Sequence, residues 1–187
     1  MSNCRVTEIA LVAVLATLVV AAAPMAQTAF TSPPPVAITS CGQSPDAYTV
    51  SLLSKRAKID HTFDNMLKPA ALTSVKTLVI VMGGSAKGLG EAGIDDKGEL
   101  ARVAQLLTKA KELGVKVLAV HVGGESRRGP LSDKFIDPVV AKADFVLATE
   151  DGNKDGAFTK AAKARNIPLV IVKQVAEVGP ALKAVIK

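Results

Sequence analysis

Short β-branched and aliphatic runs recur along this chain, each followed by a longer amphipathic stretch. That alternation restricts the fold more than any other feature. The runs are 36–40, Thr77–Met82, Lys116–His121, 144–148 and Leu169–Val172, with a weaker alternating run at 59–63. They are near-continuously apolar rather than alternating, the pattern of strands covered on both sheet faces. The segment 59–63 reads as an edge strand. Helical periodicity fills the intervals at 45–57, 99–113, 133–142, 155–165 and 180–186. Ser44 precedes Pro45 as a helix start, and Gly114 follows the second stretch as a stop. Strand–helix alternation at this spacing requires right-handed crossovers. The expected fold is a single doubly wound, mostly parallel sheet of five or six strands, a flavodoxin-like or Rossmann-like three-layer sandwich. There is one domain over 36–187.

Ahead of it, residues 9–23 form an uninterrupted apolar run, preceded by Arg5 and followed by small residues and Pro24. The run is short for a membrane span and fits the hydrophobic region of a signal peptide. Cleavage is expected between 23 and 29, with a proline-rich leader at 30–35. The domain is therefore expected to be exported, periplasmic or extracellular. An uncleaved N-terminal anchor is the competing reading. Cleavage removes Cys4 and leaves Cys41 alone, so no internal disulfide supports the fold.

The turns into the strands are short and plain, whereas those leaving them are long, polar and rich in glycine. In an open α/β sheet these latter turns lie at the carboxyl ends of the strands, where ligands bind. The first carries Gln43 and Ser44, and the second Gly83, Gly84, Ser85 and Lys87. The third carries His121, Gly124, Arg127, Arg128 and Ser132. Free backbone amides at helix starts, a lysine and two arginine forks suit a carboxylate or phosphate. These residues are the candidate ligand site. The positive charge is expected to concentrate at this edge, with little at the opposite one.

Gly88, Gly90 and Gly93 match a dinucleotide-binding glycine pattern by letter only, because the match begins well after the strand ends. No phosphate-loop motif is present, and no cofactor is implied. The acidic stretch from Glu150 to Asp155 resembles a calcium loop only loosely, lacking the closing glutamate. No metal site is assigned there. The net charge of +6 permits anionic partners, but no Trp, one Tyr and five Phe leave little to stack on bases. Nucleic acid is excluded as a partner.

The stretches GGSAKGLGEAGID at 83–95, HVGGESRRGPLSDKFI at 121–136, DGNKDGAFT at 151–159 and NIPL at 166–169 resemble an uncharacterised family of exported bacterial proteins catalogued as a domain of unknown function. The resemblance covers nearly all of the chain after residue 36 and implies export and an α/β fold, but no activity.

Three functions compete. The first is an extracytoplasmic module that binds a small anionic solute. The second is a cysteine-dependent hydrolase or transferase using Cys41 and His121, with Glu150 as third member. The third is a structural protein that assembles with a membrane transporter or with a second copy of itself. The flank of Cys41 lacks an elbow glycine, so no catalytic residue is assigned.

Overall fold

The computed structural model describes residues 30–187; the signal-peptide reading and its cleavage site lie outside them. Six strands form one sheet in the order β2-β1-β3-β4-β5-β6, with every pairing parallel. They are β1 (Val36–Cys41), β2 (His61–Phe63), β3 (Thr77–Met82), β4 (Lys116–His121), β5 (Phe145–Thr149) and β6 (Leu169–Val172). The three-layer, flavodoxin-like or Rossmann-like architecture expected from the alternation is the one adopted. β1, β3 and β5 are buried along their whole length. The sheet edges fall to the short strands β2 and β6, which limits exposed pairing surface.

Successive strand residues point to opposite faces, and the core divides accordingly. On one face Ala37, Leu78, Ile80, Met82 and Ala119 pack against Leu106, Phe135, Val139 and Phe158. These side chains come from α3 (Asp96–Leu113), α4 (Pro130–Val140) and α5 (Ala157–Arg165). On the other, Ile38, Val79, Val81, Leu118 and Leu147 meet Val50 and Leu182, from α1 (Asp46–Arg56) and α6 (Val178–Val185). The remaining helix, α2 (Ala86–Glu91), lies beyond the end of β3. Both faces of the sheet are covered by side chains from residues 30–187.

Helix starts differ from the sequence expectation by a few residues, for local reasons. α1 begins at Asp46, one residue later than expected, and Ser44 Oγ accepts from the Asp46 amide at 3.2 Å. α3 begins at Asp96 rather than 99, because the Asp95 carboxylate caps the Gly98 amide at 2.7 Å. The glycine-rich segment after β3, read as loop, contains α2, capped by Ser85 Oγ accepting from Gly88 at 3.1 Å. Gly114, with φ 67°, ends α3 as expected. No helix among the described residues is long and apolar enough to cross a membrane.

Candidate functional site

The strand order reverses between β1 and β3, so the turns after these strands flank the sheet's switch point, where open α/β folds place ligands. Here the two turns bond to each other. Gly83 N donates to Cys41 O at 2.9 Å, and Ser85 N to Gly42 O at 2.8 Å. Gly84 N donates to Ser132 Oγ at 3.0 Å. Gly88 must lack a side chain, because a Cβ there would sit 2.0 Å from the Gln43 carbonyl oxygen. The amides of Gly83, Gly84 and Ser85 are therefore committed within the protein and are not free to bind a ligand.

Beneath these turns lies an ion pair that sequence reading missed. Glu99 is fully buried. Its Oε1 accepts from Gly42 N at 2.9 Å and from Gln43 Nε2 at 3.0 Å. Arg102 closes the arrangement, with Nε to Glu99 Oε2 at 2.8 Å and Nη2 to Ser40 O at 2.6 Å. Its Nη1 reaches Leu67 O at 3.1 Å. The pair holds the 41–43 turn in place, with Gln43 in the left-handed region at φ 57°. An i,i+3 Glu–Arg spacing on a helix is ordinary surface sequence, so nothing in the sequence distinguished it.

The turn after β4 is organised differently. His121 is buried; its Nδ1 lies 3.0 Å from Met82 O and its Nε2 3.2 Å from Gly124 O. A neutral ring carries one N–H, so only one carbonyl receives it. Burial holds the imidazole below its ordinary pKa, opposed by the two carbonyls. Arg128 is consumed by structure: Nε to Asp133 at 2.9 Å, Nη2 to Asp155 at 2.9 Å and Nη1 to Gly152 O at 2.7 Å. It also lies over the Phe158 ring at 5.3 Å. These carboxylates, not Glu150 or Asp151, neutralise it and raise its pKa, Asp155 foremost. Asp151 accepts from the Glu125 amide and pairs with Lys154. Among the described residues no group of three or more His, Cys, Asp or Glu is placed to hold a metal ion.

Arg127 remains open. It makes one hydrogen bond, Nη1 to Gly84 O at 3.3 Å, and a long contact from Nε to Asp46 Oδ2 at 4.0 Å. Its stem lies across Gly123, where a Cβ would come within 2.1 Å of Arg127 Cγ. The Gly123 and Gly124 amides donate to no acceptor among the described residues. Asp46 Oδ2 is buried and has no hydrogen-bond partner there either. Sequence reading did not single out Asp46.

The other expected members do not converge on this point. Lys87 is highly exposed and faces Glu91 at 3.7 Å. Cys41 is fully buried, donates to Phe135 O at 3.3 Å, and burial pushes its thiol pKa up. Glu150 is exposed. Cys41 and His121 thus hydrogen-bond backbone carbonyls rather than each other.

The charge distribution also departs from expectation. At the carboxyl ends, Asp46, Glu91, Glu125, Asp133, Glu150, Asp151 and Asp155 outnumber Lys87, Arg127, Arg128 and Lys154. The amino ends are the basic pole. Lys55, Arg56 and Lys58 close α1, Lys109 and Lys111 close α3, and Lys163 and Arg165 close α5. Lys76, Lys116 and Lys142 stand at the turns, against Asp60, Glu112 and Asp144. Cations at helix C-termini are favourable everywhere, and a parallel fold collects every such terminus at one pole.

These features define an all-parallel, three-layer α/β domain with a glycine-lined Asp–Arg pair at the carboxyl ends of its strands. The family model for a domain of unknown function (DUF6305) matches residues 33–186, and the chain belongs to that family. Neither the curated proteins nor the solved structures yield a match.

Proposed function

We propose that this protein is an exported small-ligand-binding module, held in the periplasm or outside the cell, whose ligand is a small anionic solute. The observation that carries this reading is the Arg127 side chain lying across Gly123, next to the Gly123 and Gly124 amides that are unpaired among the described residues, and beside the orphaned oxygen of Asp46. A guanidinium fork with two free backbone amides favours a carboxylate or phosphate. The Asp46 carboxylate repels a simple anion but accepts from a hydroxyl or ammonium next to it. The ligand chemistry that satisfies both is a small hydroxy acid, amino acid or phosphorylated polyol.

Export is supported by the apolar run and small residues before Phe30. The test is a thermal-shift screen of residues 30–187 with hydroxy acids, amino acids and phosphates, followed by calorimetric titration of the best binder. Arg127→Ala is expected to weaken binding by about 1.5–3 kcal/mol, the worth of hydrogen bonds between charged groups at a side chain that stays a third exposed. Asp46→Asn should change preference among ligands more than overall affinity. A screen with no stabilising anion, or equal affinities for wild type and Arg127→Ala, overturns the reading.

A further inference from the structure

A cleft that shares no lining residue with this site runs along α3, between it and α4, to the amino pole of the sheet. It encloses about 590 Å³ and is walled by Leu100, Val103, Ala104, Leu107, Val117 and Pro138. That volume falls within the 300–1,000 Å³ range of small-molecule sites. Pro138 sits inside α4, where it cannot donate a backbone hydrogen bond. The α3 wall runs from Leu100 to Lys111, about 16 Å at 1.5 Å rise per residue. An extended chain of roughly a dozen carbons, whose bonds of about 1.5 Å advance about 1.25 Å each along the zigzag, spans about 14 Å and fits within that length.

Polarity changes along the cleft. Its carboxyl-pole end is aliphatic, while Lys111, Lys116 and Lys142 gather at its amino-pole end. Lys116 pairs with Asp144 at 3.5 Å; Lys111 and Lys142 have no carboxylate partner among the described residues. The helix ends here present carbonyls, which disfavour an anion. Val140 O at the end of α4 and Ala143 O in the turn after it are already covered by Arg165 Nη1 at 2.7 and 2.6 Å. The remaining field is cationic.

We propose that this cleft binds a single aliphatic chain of about twelve carbons bearing an anionic head group, the tail along α3 and the head among the three lysines. The site is separate from the Asp46–Arg127 pair and does not rest on it. The shared chemistry is a saturated tail with a terminal carboxylate or phosphate. A free fatty acid and a lysolipid differ only in the head, and the titration separates them.

The probe is dodecanoate, titrated calorimetrically into residues 30–187 below its micelle concentration. Lysophosphatidate, octanoate and dodecanol are run alongside. One dodecanoate per chain is expected, with affinity falling about fourfold for each methylene removed. Dodecanol should bind several-fold more weakly than dodecanoate. Ala104 is exposed on α3 and lines the cleft, so Ala104→Trp fills the space without entering the core. It should abolish binding with an unchanged melting temperature. Lys111→Glu with Lys142→Glu should reduce dodecanoate affinity at least tenfold and leave dodecanol unaffected, whereas Arg127→Ala should leave dodecanoate binding intact. No dodecanoate binding at millimolar concentration overturns the proposal, as does Ala104→Trp binding like wild type. Self-association of wild type that Ala104→Trp removes, without fatty-acid binding, also overturns it in favour of a second copy as occupant. Stronger binding of lysophosphatidate than dodecanoate supports the site and assigns the head as phosphate.

Discussion

Replacing Glu99 tests whether the turn after β1 is held by the buried ion pair beneath it. Arg102 is 9% exposed and Glu99 not at all. Glu99→Ala leaves a guanidinium against the carbonyls of Ser40 and Leu67 and the Thr39 hydroxyl, strips the Gly42 amide of its acceptor, and leaves Gln43 Nε2 with the Asn65 carbonyl. Breaking a buried pair by removing one partner costs about 3–5 kcal/mol, and each orphaned donor about 1–3 kcal/mol. These penalties overlap because the turn relaxes, and the expected loss is about 4 kcal/mol. For a domain of this size that lowers the melting temperature by roughly 8–16 °C. Urea denaturation should show a lower midpoint at unchanged slope. Glu99→Gln keeps an acceptor for Gly42 and should cost less. A double-mutant cycle with Arg102→Ala isolates the pairing itself. A loss below about 1 kcal/mol for Glu99→Ala, small even for an average substitution, or negligible coupling with Arg102, refutes the reasoning.

The buried His121 predicts a pH dependence. Its folded pKa lies below its unfolded one, so the unfolded chain takes up the proton first. The associated stability is complete above about pH 6.5, the unfolded value, and declines as pH falls from there. Melting temperature measured between pH 8 and pH 5 should fall on the acid side, and less steeply in His121→Gln; parallel curves would exclude His121 as the source. Arg128→Ala should destabilise the unliganded domain by about 1–2 kcal/mol through lost charged hydrogen bonds, and Arg128→Lys should not restore it, since an ammonium cannot span two carboxylates. Unchanged urea midpoints would return Arg128 to the pool of free cations. Gly88→Ala should cost about 1–3 kcal/mol by forcing the Gln43 carbonyl away, read as a lower melting temperature; a neutral result would mean that the two turns separate freely.

The chain's own order of residues determined the sheet. Continuous apolar runs such as Thr77–Met82 have no stable arrangement other than burial on both faces, and the helical stretches between them leave only parallel pairing. Family membership was legible too, because 83–95 and 121–136 are distinctive as strings. Tertiary structure decided which polar residues remain available. Arg127 and Arg128 are adjacent and alike in sequence, yet Asp133 and Asp155 consume Arg128 while Arg127 meets Asp46 only at 4.0 Å. Glu99 and Arg102 looked like a surface pair until the fold laid the β1 turn over them. Composition gave a net charge but not its poles; parallel winding separates them, because it carries every helix C-terminus to the amino ends of the strands. Availability depends on distances between segments far apart in the chain, and local sequence encodes propensity rather than those distances.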